Sequence, residues 1–348
     1  IRWLWPSAQA EGALCSCPVT AEALTGALHA LAQQGISPFG VYVTSPDYLG
    51  GVQDIPALAA VCRAQGVPLL VDNAHGAYLR FLPQNCHPIA QGAAMCCDSA
   101  HKTLPVVTGG AYLHLAHDAP VQDEAAVRGA LALFGSTSPS YLILQSLDAA
   151  NAVLADSFRE KLDICRWRLG MLCRELDALR PGLALPLTRA HREPLKLTLD
   201  AAALGLSGQQ LAQALRERGV ECEYADPRYV VLMFTPCNPP QDYARLRTVL
   251  RQCLHGLPAA GGLLTPEELA GEFMALAQQA RAHYTIRQAV FAPQERIPVQ
   301  QALGRICAMP TVSCPPAIPI AVSGEEITPA ALELMQRYGV TEVSVLRR

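Results

Sequence analysis

The sequence predicts an α/β protein: a mostly parallel sheet in a major domain, then an α+β small domain and an appended C-terminal module. Short apolar runs alternate with helically periodic segments as far as Leu115. Polar, chemistry-bearing residues stand at the C-terminal ends of those runs, where open α/β sheets place their ligands. After a long helical stretch ending near Leu179 the pattern shifts to mixed strands and helices, and it shifts again after the small-residue linker at 257–263.

In chain order, Thr20 caps a helix running to Gln34, with Glu22 in its first turn and Gly35 closing it. Gly40–Thr44 follows as a short strand, and the Ser45–Gly51 stretch is turn chemistry. Asp54 caps a second helix ending near Gly66, and Val67–Asp72 reads as a buried parallel strand. Ala93–Ser99 and Gly110–Leu115 are two further short strands on either side of a turn that carries Lys102. Tyr141 to about Leu179 reads as one long amphipathic helix. A strand at Leu195–Leu199, a helix at 208–218, strands at 221–224 and 229–234, and a helix at 240–255 make the second unit. Thr265-Pro-Glu-Glu then starts a new helix with acids in its first turn. The expected domains are therefore 1–141, 142–258 and 262–348.

With 348 residues, 51% hydrophobic and 16% charged, the chain can bury substantial cores. A net charge of −3 without a basic run argues against nucleic acid, and no apolar stretch is long enough to cross a bilayer. The thirteen cysteines are scattered, with no signal peptide and no paired C-x₂-C spacing, so buried thiols in a reduced cytoplasm are expected and a metal site is not. The chain begins at Ile1, as though a domain were already under way, and reads as N-terminally truncated.

Lys102, one of three lysines among 27 basic residues, lies in Ser99-Ala-His101-Lys102-Thr-Leu-Pro105. Thirty residues earlier, Val71-Asp72-Asn-Ala74-His75-Gly76 ends its strand. An imine-forming lysine, an acid and an imidazole together suggest pyridoxal 5'-phosphate. In that reading Asp72 pairs with the pyridine nitrogen, and His75 stacks on the ring or acts as an acid near the imine. Ala74 leaves room for a flat ring, and Ser99 and His101 contact the phosphate. Ser136 and Thr137, in a hydroxyl-rich run before the Tyr141 helix, cap that helix or reach the phosphate, in the second case from a partner subunit. Each residue taken alone also has a plain structural reading: a surface lysine, a helix-capping Asp, a packing His.

Four segments together resemble the Orn/Lys/Arg decarboxylases, within the fold-type-I, aspartate aminotransferase-like enzymes. They are Val43–Tyr48 with Asp54, Val71–Gly76, Ser99–Pro105 and Ser136–Tyr141. The stretch Cys314–Glu325 is similar to the C-terminal domain of that family. The resemblance lies closest to the Gram-positive biosynthetic arginine and lysine decarboxylases. It implies a Schiff base at Lys102, a pyridinium contact at Asp72 and phosphate contacts at Ser99 and His101, with Thr44 and Ser45 as pocket candidates. It also implies a homodimer or higher homo-oligomer that decarboxylates arginine, lysine or ornithine for polyamine synthesis. Gly109 and Ala317 depart from the family pattern, which has Gln and Gly there. Glu325 is a candidate for selecting a distal substrate cation, or simply a solvated turn acid. Transamination or aldol cleavage on the same scaffold, and a non-catalytic dimerising remnant, are the rival readings.

Overall fold

The computed structural model describes residues 1–5, 12–136, 138–185, 192–253, 262–310 and 318–348. The expectations for Thr137, for 254–261 in the linker and for 314–317 lie outside the described residues.

The first unit begins with α1 (Ala21–Gln33), whose N-cap Thr20 accepts from the Ala23 N–H. It continues through β1 (Val41–Thr44), α2 (Ile55–Ala64, capped by Asp54), β2 (Leu69–Asp72), β3 (Met95–Asp98), the one-turn α3 (Ala100–Thr103) and β4 (Tyr112–Leu115). The sheet order is β1-β2-β3-β4, parallel except for β4. The register places Thr44 beside Asp72 and Asp72 beside Cys97. Alternate residues of β1 and β2 are buried: Val41, Val43, Leu69 and Val71 pack with Leu24, Leu28 and Leu58 of the two helices. The expectation of a wholly buried β2 is therefore corrected. Only one sheet face is covered by these helices, and Tyr42 and Cys97 are exposed on strands beside Asp72.

Helix α4 (Glu124–Phe134), which the sequence pattern did not single out, has no buried residue. The expected single helix from Tyr141 is two, α5 (Tyr141–Asp156) and α6 (Phe158–Leu179), broken where Ser157 takes φ −116°, ψ 1°. The break lets the two helices bury different faces. Helix α6 buries Phe158, Leu162, Cys165, Leu169, Leu172, Cys173 and Leu176, one stripe at helical spacing. In α5 only Ala150 is buried.

The second unit holds β5 (Lys196–Asp200), α7 (Gly208–Arg216), β6 (Tyr224–Ala225), β7 (Tyr229–Met233) and α8 (Pro240–Cys253). Its antiparallel sheet has the order β5-β7-β6. One apolar cluster joins Tyr78, Leu79, Ala100 and Leu104 of the first unit to the α6 stripe and to Leu197, Leu232 and Leu250 of the second. The core is thus continuous across the expected join at residue 141.

The last unit contains α9 (Pro266–Gln279), α10 (Ile286–Phe291), β8 (Gln294–Pro298), β9 (Cys307–Met309), α11 (Pro329–Arg337) and β10 (Glu342–Leu346). Thr265 and Glu268 form a reciprocal capping box at the start of α9. The antiparallel sheet β8-β10-β9 shares a core with α9 and α11, built on Phe273, Leu276, Leu334, Val343 and Val345. Among the described residues no helix is long and apolar enough to cross a membrane, and twelve cysteines are free.

Candidate active site

The site forms where β2 and β3 end. Beyond Asp72 the chain leaves the sheet, and the Asp72 carboxylate turns back on its own loop, Oδ1 accepting from the Ala74 N–H at 3.0 Å. Its other oxygen accepts from the Tyr42 hydroxyl at 3.2 Å, and the Cys97 thiol lies 3.9 Å from Oδ1. Asp72 and Ala74 are half-buried and so remain reachable from the open side.

His75 is 3% exposed, and its Nε2 lies 3.3 Å from the Lys102 Nζ. An ammonium only donates, so Nε2 is the acceptor and the ring proton sits on Nδ1. That Nδ1 is buried and has no hydrogen-bond partner among the described residues. Burial, and then the charges of Lys196, Lys102 and His101, lower the His75 pKa to about 2. The ring is therefore neutral at physiological pH, whereas a free imidazole titrates near neutrality.

Lys102 projects from α3, directly after β3. Ser99 occupies the N-cap position of that turn, but its hydroxyl makes no capping bond and is half-buried. His101 donates from Nδ1 to the Gly110 carbonyl at 2.9 Å, which leaves Nε2 as the atom available to a ligand. Ser45 is spent on structure: its Oγ accepts from the Gln53 N–H at 3.1 Å, and its N–H donates to the Asp72 carbonyl at 2.9 Å. Thr44, beside Asp72 on β1, is exposed.

The structure thus brings Asp72, Ala74, His75, Ser99, His101 and Lys102 to the C-terminal ends of β2 and β3. Ser136 is not drawn into this group. It is exposed, and its hydroxyl is engaged with the backbone of Ser138 in its own turn. Glu325 accepts from the Val322 N–H at 2.9 Å, a bond within its own turn.

Two residues escaped the sequence reading. Tyr48 packs edge-on against His75, with ring centroids 4.7 Å apart. Its ring also lies 6.0 Å from the Lys102 Nζ and 5.5 Å from the Lys196 Nζ. Lys196, on β5 of the second unit, is 2% exposed and donates to the Asp47 carbonyl at 2.6 Å. The scarcity of lysine was a signal for it, but only the packing of β5 on the Ser45–Gly51 turn brings it to the site.

The family profile described as "Orn/Lys/Arg decarboxylase, major domain" matches residues 3–166, and "Orn/Lys/Arg decarboxylase, C-terminal domain" matches residues 268–340. An arginine decarboxylase of Bacillus subtilis is 31% identical over 83% of this chain and 59% of its own length. Among solved structures, the lysine decarboxylase of Francisella novicida superposes with a TM-score of 0.74 at 17% identity, covering 99% of this chain and 63% of that one. The constitutive lysine decarboxylase of E. coli gives 0.67 at 18% identity, with 94% and 61% covered. These two likenesses show a shared fold. The chain spans about three fifths of the length of the curated relatives it matches. With both family profiles aligned along one chain, the chain belongs to the Orn/Lys/Arg decarboxylase family.

Proposed function

We propose that this chain holds pyridoxal 5'-phosphate and takes part in decarboxylating a basic amino acid. The observation that carries the reading is the 3.3 Å approach of Lys102 Nζ to His75 Nε2, at the strand ends that also present Asp72. The residues present suit the cofactor. A lysine amine, a half-buried carboxylate at a strand end and a buried imidazole with an unshared Nδ1 are the donors and acceptors that an aldehyde, a pyridine and its substituents call for. When bound, the cofactor supplies an electron sink for the pair left at the substrate Cα as the carboxylate departs.

The chain's own residues set up that chemistry. Lys102 is the amine that anchors the cofactor and is exchanged for the substrate amine. Asp72 holds a proton at the ring nitrogen by its negative charge, oriented by the Ala74 N–H and the Tyr42 hydroxyl. His75, neutral in its pocket, accepts from the lysine and packs beside the cofactor against Tyr48 without adding positive charge. Ala74 leaves space for a planar ring, and the Ser99 hydroxyl and His101 Nε2 serve the phosphate. Arginine, lysine and ornithine are the substrates to test, because the family profile is described by all three and relatives are named arginine or lysine decarboxylase. Assembly as a homo-oligomer in the cytoplasm belongs to the same proposal.

The test is an absorbance scan of the purified chain with pyridoxal phosphate beside Lys102→Ala, followed by borohydride and peptide mapping. A near-violet band in the parent alone, with borohydride fixing the cofactor mass on the Lys102 peptide, is the expected result. Carbon dioxide release from the three amino acids then identifies the substrate and separates decarboxylation from amino-group transfer. Absence of the band in the parent, with no cofactor mass fixed by borohydride, would overturn this reading in favour of the non-catalytic one.

A further inference from the structure

Beneath the candidate site lies a buried polar cluster to which nothing above assigns a role. Asp98, the last residue of β3, is 3% exposed, and four donors converge on its carboxylate. Oδ1 accepts from Asn73 Nδ2 at 2.7 Å and from the Cys96 thiol at 3.3 Å. Oδ2 accepts from His87 Nε2 at 3.1 Å and from His114 Nε2 at 3.0 Å. The two imidazoles meet edge to face, 5.0 Å apart. Burial alone would raise the Asp98 pKa, but the hydrogen bonds from His114, His87 and Asn73 outweigh it and hold the carboxylate well below its ordinary range.

Three ligand-type atoms within 4.8 Å of one another also invite a metal reading. The proton positions argue against it. His87 Nδ1 accepts from the Ile89 N–H at 3.4 Å, so the ring proton sits on Nε2, the atom a metal would need bare. Both carboxylate oxygens, moreover, already have their donors.

Asp98 sits where two site segments meet. Asn73, fully buried, lies between Asp72 and the Ala74–His75 pair. Its N–H donates to the Cys97 carbonyl at 2.9 Å, and its side-chain oxygen is wedged under Gly76, where a Cβ would come within 2.0 Å of it. On its own strand, Asp98 directly precedes Ser99, His101 and Lys102. One carboxylate therefore ties the loop carrying Asp72 and His75 to the segment carrying Lys102, and the two histidines brace it from β4 and from the turn before β3. We propose that Asp98, braced by His87 and His114, is a positioning residue that fixes the Asp72–His75 loop relative to Lys102. It acts through Asn73 and touches no reacting group.

Hydrogen exchange of the cofactor-free chain tests this without calling on the cofactor, and pyridoxal phosphate affinity adds a second readout that rests on the proposed function. Asp98→Asn, which removes the charge and leaves only one accepting oxygen, should speed exchange of the 72–76 and 99–104 amides by about tenfold or more and weaken cofactor affinity by about tenfold. Because Asp98 is buried and its variant can misfold, His114 provides the second pair. His114→Gln, which keeps an N–H donor, should restore parent-like exchange and affinity, and His114→Phe should not. Either of two results overturns the proposal. One is unchanged protection of both segments in Asp98→Asn and His114→Phe, with only the melting temperature lowered. The other is stoichiometric metal in the purified parent that both variants lose. Should the parent bind no cofactor, the proposed function fails, while the exchange comparison still decides this one.

Discussion

His75 shows how far environment can move one side chain. As a free residue it titrates near neutrality, yet burial and the nearby Lys196 and Lys102 cations lower it to about 2. The folded state therefore refuses a proton that the unfolded chain accepts. Stability from this group is fully present above the unfolded pKa of about 6.5 and is lost as pH falls below it toward the folded value, by about 1.4 kcal/mol per pH unit. Asp226, which burial pushes up to about 6, takes up a proton over part of that range and acts in the opposite sense. The clean measurement is thus a difference. Denaturant unfolding between pH 6.5 and 4 should show a shallower acid loss in His75→Phe than in the parent, and parallel curves would refute the neutral-ring account. The acid, imidazole and lysine were legible as a group because all three lie within two short segments. The protonation state of the imidazole was not, since it depends first on burial and then on Lys196, 121 positions away in the chain.

Among elements, periodicity was a good guide to existence and a poor one to partnership. Thr20, Asp54 and Thr265 announced their helices because a cap is a local bond between a side chain and an N–H three residues on. The break at Ser157 gave no such signal, because a serine is tolerated inside helices and only the differing burial of α5 and α6 separates them. Burial likewise separates leucines that look alike in sequence. Leu169, fully buried in the α6 stripe, should cost about 2–5 kcal/mol on replacement by Ala. Leu133 on α4, 79% exposed, should cost less than about 0.5 kcal/mol. Equal midpoints for the two variants in urea unfolding would contradict this assignment of the core.

For the molecule as a whole, the second unit helps build the site on the first. The Leu49 carbonyl accepts from the Thr198 hydroxyl and from the Arg192 guanidinium, each at 2.7 Å, and Lys196 donates to the Asp47 carbonyl. These bonds hold the turn that presents Tyr48 to His75. Removing the Lys196 charge should therefore be felt across the domain junction. In Lys196→Met the His75 pKa should rise from about 2 yet stay below its ordinary 6.5, since burial is the larger cause. A pH titration followed by imidazole NMR measures this, and an unmoved value would mean that Lys196 does not reach the ring electrostatically.

The sequence by itself determined the α/β start, the helix caps, and the placing of Asp72 and His75 in one short segment and of Ser99, His101 and Lys102 in another, because each depends on residues close together in the chain; the pairing of β2 with β3 brings the two segments side by side. Tertiary structure alone decided which sheet face is covered, that Ser136 stays within its own turn, and that Tyr48 and Lys196 join the site. It also decided that His87, Asn73, Asp98 and His114 converge. These depend on strand register and on packing between distant segments, and neither leaves a local trace in the order of residues.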